Sequence, residues 1–197
     1  MILERSAQLF AKRGYASTSM NQVAEACNLS KATLYHYFKD KYSLLVSIAD
    51  EHVSRLAALV EEERVQAMSG EPRLRYLIHR IVEEYAGATD AHRVLTEDVK
   101  FLETDDRERV LNKERLVVAA FARAVTEMRP ELAGVRLAKP LTMLLFGMVN
   151  WMFTWIKPDG ELDHAAMGPI VADLFIGGLG SVRFEANSDV RDSLADA

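Results

Sequence analysis

The chain is predicted to be all-α, with about nine helices arranged as a three-helix unit ahead of a larger helical body. Three observations carry this. Apolar residues recur at three- and four-residue spacing along most of the 197 positions instead of alternating. Turn formers are scarce, with 5 prolines and 10 glycines, whereas an all-β chain needs a turn about every 8–12 residues. The breaks that do occur carry helix-capping residues. No apolar run reaches the length of about 18 residues that a membrane span needs, and Met1-Ile2-Leu3-Glu4-Arg5 does not read as a signal peptide. Cys27 alone can form neither an internal disulfide nor a multi-cysteine zinc site. A soluble, cytoplasmic protein without membrane contact is expected.

The first helix runs from Ile2 to Arg13 on Leu3, Ala7 and Phe10, and Gly14 supplies a left-handed residue to end it. A second follows Ser19, because Ser19 and Gln22 have the spacing of a capping box and Met20, Val23, Ala24 and Cys27 form one stripe. Asn28 tolerates the left-handed turn that must come next. Ser30 caps a third helix, with Leu29 and Leu34 as a hydrophobic staple and Phe38 also inward. Asp40 caps a fourth, whose stripe of Leu45, Ile48, Ala49, Leu56 and Leu59 continues toward Met68. After the break at Ser69-Gly70-Glu71-Pro72, Leu74 to Tyr85 mark a fifth helix and Val94 to Leu102 a shorter sixth. Val110 to Met128 mark a seventh, stopped by Arg129-Pro130. An almost wholly apolar eighth spans Leu137 to Ile156, stopped by Lys157-Pro158-Asp159-Gly160, and a ninth spans Ala165 to Val182. The polar tail 185–197 is expected to be disordered.

The net charge of −5 hides an asymmetry. Residues 1–46 set Arg5, Lys12, Arg13, Lys31, Lys39 and Lys41 against Glu4, Glu25 and Asp40, a net +3, which leaves −8 on the remainder. A basic head can seek phosphate while an acidic body keeps the molecule off non-specific DNA. Within the head, residues 19–38 read as two short helices joined by a tight turn, the helix-turn-helix pattern whose second helix enters the DNA major groove. With Leu34 and Phe38 inward, Lys31, Ala32, Thr33, Tyr35 and His36 fall on the outer face. Lys31 and Thr33 stand near the helix N-terminus, where base edges are reached, and Ala32 permits close approach or touches a thymine methyl. Tyr35 and Tyr37 offer hydroxyls to phosphates, and Lys41 adds charge at the next helix N-terminus. Ser19 and Asn21 complete the expected contact set to double-stranded DNA. The plainer alternative is a packed helical hairpin.

The segments L-F-A-K-R-G-Y, T-S-M-N-Q-V-A and S-K-A-T-L-Y-H-Y-F-K-D-K-Y-S-L-L within residues 1–46 are similar to the TetR family of transcriptional regulators. Asn28 and Ala32 stand where that family usually has glycine. The resemblance implies a homodimeric repressor with a DNA-binding domain at 1–46 and an effector-binding and dimerisation domain at 47–184. A palindromic operator and release by a small-molecule effector follow from it. The last two long helices are then candidates for a four-helix dimer interface through Leu141, Leu145, Ile170, Leu174, Gly177 and Gly178, the alternative being internal core. The run 144–155 concentrates methionine and aromatic side chains, which suit an apolar ligand cavity or a packed core equally. Pocket candidates are Phe121, Phe146, Met148, Trp151, Met152 and Trp155. This run resembles family members that sense acyl-CoA thioesters and other hydrophobic carboxylates, so an acyl-CoA or related acid is the expected effector class. An anionic ligand would need a cation, and Arg73, Arg80, Arg115 and Lys139 are available.

A helical enzyme or a protein-interaction module without DNA affinity is the competing expectation. The chain has no H-E-x-x-H, no G-x-S-x-G and no phosphate-binding glycine loop. His79 and Glu83 share a helix face but read as a solvated pair. No catalytic residue, cofactor or metal site is expected.

Overall fold

The computed structural model describes residues 1–134, 136–156 and 162–183, and among these the architecture is all-helical. The helices are α1 (Ile2–Arg13), α2 (Met20–Ala26), α3 (Lys31–Tyr37), α4 (Lys41–Glu61), α5 (Glu63–Gln66) and α6 (Gly70–Gly87). They continue with α7 (Thr89–Asp98), α8 (Thr104–Met128), α9 (Glu131–Gly134), α10 (Ala138–Asn150) and α11 (His164–Leu179). Single 3₁₀ turns at Val99–Phe101 and Met152–Thr154 extend α7 and α10. The expected tail and the stop at Lys157 to Gly160 lie outside the described residues.

Local chemistry sets the head. The Ser19 hydroxyl accepts from the Gln22 N–H at 3.3 Å while the Ser19 N–H donates to the Gln22 side chain at 2.8 Å, the reciprocal pair of a capping box. Asn28 sits at φ 54°, with its N–H on the Glu25 carbonyl and the Leu29 N–H on the Ala24 carbonyl. This is a Schellman ending with asparagine in the left-handed position. Asn28→Gly should therefore be nearly neutral, whereas Asn28→Val should cost about 1–2 kcal/mol of stability by urea titration, because a branched Cβ clashes there. Ser30 accepts from the Thr33 N–H at 3.0 Å and Asp40 from the Ser43 N–H at 2.7 Å, so α3 and α4 each start on a side-chain cap.

Packing forms two apolar clusters. One joins Phe10, Val23, Cys27, Leu34, Leu44 and Leu45 of the head and Ile48 of α4 to Val94 and Leu95 of α7, Leu102 of the link after it and Val110 of α8. The other lies between α4, α6, α8, α10 and α11 around Leu77, Ile81, Phe121, Phe146 and Phe175. Residues 1–46 are too few to bury much surface alone, and the head closes its core by packing α1 against α7. Polar contacts repeat that junction. Tyr42 at the start of α4 donates to Asp106 at 2.7 Å and accepts from the Glu103 N–H at 2.9 Å. Lys113 of α8 meets Asp50 at 2.7 Å, and Arg55 meets Glu84 of α6 at 2.7 Å.

Several boundaries differ from expectation, among them the sixth helix, which starts at Thr89 instead of Val94 and ends its α-helical part at Asp98, and the last helix, which ends at Leu179 instead of Val182. The fourth helix does not run on to Met68 but ends at Glu61, where Glu62 leaves helical geometry (φ −51°, ψ 136°) and α5 follows. The helix α8 begins at Thr104, before the first apolar residue of its stripe, because its opening turn is acidic and solvated. The helix α10 ends at Asn150, short of Ile156. The intramolecular close approach that calls for glycine is at Gly168, where an added Cβ would lie 3.0 Å from His79 Nδ1; Gly177 and Gly178 meet nothing within 4 Å.

Candidate functional site

The helix α3 is anchored through one fully buried side chain, Leu34, and displays most of the remainder. Lys31, Ala32, Thr33 and His36 are exposed, as are Tyr35 at 42% and Tyr37 at 64%. Aromatic rings of that size on a short helix, with no core beneath them to fill, point to a surface made for contact. The Lys31 ammonium lies 5.9 Å from the Tyr35 ring, and the rings of His36 and Tyr37 are 5.5 Å apart. The Thr33 hydroxyl is 2.7 Å from that of Ser30, which holds it at the helix N-terminus. Ser19 and Asn21 are exposed at the start of α2. Lys41 differs from the others in this set. Its ammonium donates to the carbonyls of Tyr15 at 2.7 Å and Ala16 at 3.0 Å and stands 4.5 Å over the Tyr15 ring. It fastens the α1–α2 turn to α4 and leaves only its remaining N–H and its charge for a phosphate.

In the body, a cavity of about 300 Å³ opens between α4, α6, α7, α8 and α10. Leu56, Leu95, Val99, Val117, Val118, Met143 and Phe146 supply its apolar wall. Tyr85, His92, Thr96, Glu114 and Asn150 supply its polar groups. Of the six pocket residues expected from sequence, Phe146 lines it. Phe121 is buried behind Phe146, ring centres 5.1 Å apart, and Met152 and Met148 pack into the apolar core. Trp151 and Trp155 lie at the surface instead, 62% and 53% exposed. The change from α-helix to 3₁₀ turn after Asn150 places Met152 inward and leaves both tryptophans out. The polar side chains of the cavity come from α6, α7, α8 and the last turn of α10, and in the sequence α6, α7 and α8 showed only amphipathic stripes.

The cavity is wired to the head. The Tyr85 and His92 rings stack at 3.6 Å, and His92 Nδ1 stands 3.4 Å from Nε2 of the fully buried His52 on α4. Burial, with the neighbouring His92 and Arg55, pulls the His52 pKa down to about 3, so it stays neutral. Burial pushes the Tyr85 phenol and the Glu114 carboxyl up. None of the four cations considered for an anionic ligand lines the cavity. Arg73 is bound to Glu127 and to the Val65 carbonyl, Arg80 to Glu62 and Glu83, and Arg115 to Glu108 and Asn112. Lys139 is exposed on α10.

The two long C-terminal helices share an apolar outer face. On α10 it comprises Leu144 at 66% exposure, Gly147 and, just beyond the helix, Trp151; on α11 it comprises Ile170 at 46%, Leu174 at 65%, Gly177 and Gly178. Leu145 does not belong to it, being 1% exposed in the protomer core, and Leu141 is half-buried against that core. Leu144 and Trp151 were not marked for this face by sequence, because in a continuously apolar helix every register looks alike. No helix among the described residues is long and apolar enough to cross a membrane. No group of three or more histidine, cysteine or carboxylate side chains among them could hold a metal ion.

Comparison with known proteins agrees with this arrangement. The HTH-type transcriptional repressor KstR of Mycobacterium tuberculosis is 26% identical over 155 residues, covering 77% of this chain and 69% of that protein. A TetR-family transcriptional regulator from Bordetella parapertussis superposes with TM-score 0.83 at 35% identity, over 93% of this chain and 96% of that one. AibR, crystallised in complex with isovaleryl coenzyme A and operator DNA, superposes with TM-score 0.71 at 26% identity, over 92% and 95% of the two chains. Residues 2–48 match the family of bacterial regulatory proteins, tetR family, and residues 67–179 the tetracyclin repressor-like C-terminal domain. The chain belongs to the TetR family of DNA-binding, helix-turn-helix transcriptional regulators.

Proposed function

We propose that this chain is a homodimeric cytoplasmic repressor without catalytic activity of its own, which binds a palindromic operator and is released from it by a hydrophobic small molecule. Residues 1–46 read the DNA, and residues 47–184 dimerise and bind the effector. The observation that carries the DNA assignment is α3, held by Leu34 and presenting Lys31, Thr33, Tyr35, His36 and Tyr37 to solvent. Two-fold symmetry would set two such helices about 34–36 Å apart or somewhat more, on successive turns of one face of the duplex. The apolar face of α10 and α11 supports the dimer, since patches of this kind on a soluble protein mark contact surfaces.

Lys31 and Lys41 separate the roles. Lys31→Ala should cost about 1–3 kcal/mol on the operator and relax preference at one base position. Lys41→Ala should weaken specific and random DNA alike, reduce the salt dependence by about one phosphate contact, and lower thermal stability as the α1–α2 turn comes loose. Fluorescence anisotropy on both DNAs across a salt series checks this. Equal losses on both duplexes for Lys31→Ala would remove it from base reading.

The effector reading rests on the cavity and on its contact, through Tyr85 and His92, with His52 of the helix that carries the head. A ligand that shifts α7 against α4 would alter head spacing, and ligand and operator would then oppose each other by typically about 1–3 kcal/mol. The isovaleryl coenzyme A bound to AibR favours acyl-CoA esters with a short acyl group as the class to titrate first.

A further inference from the structure

The cavity has a polar side that its apolar wall does not explain. Glu114 lines it from the middle of α8, and no hydrogen bond or ion pair reaches its carboxylate from any described residue. Asn150 lines it from the last turn of α10, and the buried oxygen of its amide has no hydrogen-bond partner among the described residues. Buried polar atoms are nearly always paired, so the orphaned Asn150 oxygen, beside the half-buried Glu114 carboxylate, calls for a group that enters the space. An amide can offer either end to a ligand. The carboxyl decides the sign, because among the described residues no lysine or arginine lines the cavity to neutralise a second negative charge.

We infer that the cavity takes a compact apolar ligand bearing a hydrogen-bond donor beside its apolar part, a hydroxyl, an amide N–H or an ammonium, and that it refuses a free carboxylate. This rests on the effector reading above and narrows it. Within the expected class of acyl-CoA or related acid, the free acid does not fit, and an acyl-CoA meets the requirement through an amide N–H of its pantetheine arm, since the thioester itself only accepts. A volume of about 300 Å³ corresponds to roughly ten water molecules, room for a short chain or a single ring. The raised Glu114 pKa, caused first by burial and opposed by Arg115, is what a carboxyl without a partner in an apolar wall would show.

The test keeps one carbon skeleton and changes its head. Hexanol, hexylamine, hexanoate and hexanoyl coenzyme A are titrated into full-length wild type and Glu114→Gln, following both melting temperature and release of operator DNA. Wild type should bind the alcohol and the amine at least about tenfold more tightly than hexanoate, since an unpaired like charge costs several kcal/mol in such a site. Glu114→Gln should bring hexanoate up and the amine down, each by about tenfold. Hexanoate binding wild type as tightly as hexanol would overturn the inference. So would an unchanged order of affinities in Glu114→Gln, even with operator release intact, which would leave the broader effector reading standing. If none of the four compounds shifts either readout, the effector reading fails and this inference goes with it.

Discussion

Leu174→Asp is expected to yield a folded monomer whose scattering mass is the 22.1 kDa of one chain, with operator binding lost. Leu174 is 65% exposed on α11, between Ile170 and the paired glycines along the chain, and Leu144 on α10 and Trp151 just beyond it are exposed as well. In a two-fold interface every residue is present twice, so one substitution places two carboxylates in an apolar contact with nothing to pair them. The heads themselves are untouched. What disappears is the link between two half-site contacts, and operator affinity should fall by about 10²–10⁴ for that reason alone. Affinity for random duplex should fall far less. The matching control is Leu145→Asp, one position from the exposed Leu144 but 1% exposed. A charge there enters the protomer core and should prevent folding instead of dimerisation. If Leu174→Asp stays dimeric at micromolar concentration, the interface lies elsewhere.

Arg73→Met should lower stability by about 2–4 kcal/mol, the cost of stripping one partner from an ion pair whose arginine is buried and whose carboxylate is partly solvated. Arg73 is 6% exposed at the start of α6. It donates to Glu127 of α8, to the Val65 carbonyl at 3.1 Å and to the Gln66 carbonyl at 3.3 Å, while Glu127 also accepts from the Gly70 N–H at 2.9 Å. One guanidinium thus ties the short α5 and the start of α6 to α8. Methionine keeps much of the volume, leaves both carbonyls without this donor, and leaves the carboxylate with the Gly70 N–H at 2.9 Å and Arg123 at 3.9 Å. Thermal unfolding at fixed protomer concentration should show a corresponding fall in melting temperature. The double variant Arg73→Met with Glu127→Met should recover part of it. A response to hexanol or hexanoyl coenzyme A that survives in the single variant below its melting range would agree with Arg73 being structural and not the ligand's counter-ion.

Arg73, Lys41 and the pair Leu144 and Leu145 show where sequence reasoning stops. Arg73 reads in the sequence as one of four available cations; the fold brings Glu127 to it from a different helix and spends the charge internally. Lys41 reads as a phosphate contact at a helix N-terminus, and the fold sets two carbonyls of the preceding turn against it. Leu144 and Leu145 are chemically identical neighbours, yet one is outside and the other in the core.

The head was legible because its determinants are local. A capping box spans four residues, the turn at the left-handed asparagine is closed by N–H groups of Asn28 and Leu29 on carbonyls three and five residues back, and a buried stripe repeats every turn. Such contacts are written in consecutive letters, so Ser19, Asn28, Ser30, Leu34 and the exposed face of α3 follow from them directly. The body was legible as helices and little more. Its cavity is assembled from five helices between Leu56 and Asn150, so its polar side depends on distances that no short window contains. Trp151 and Trp155 carry the same point: an indole is apolar enough for either side of a helix, and long-range packing chose solvent for both. Apolar periodicity says that a face must be covered; packing alone chooses whether the protomer's own core, a ligand or a second copy covers it.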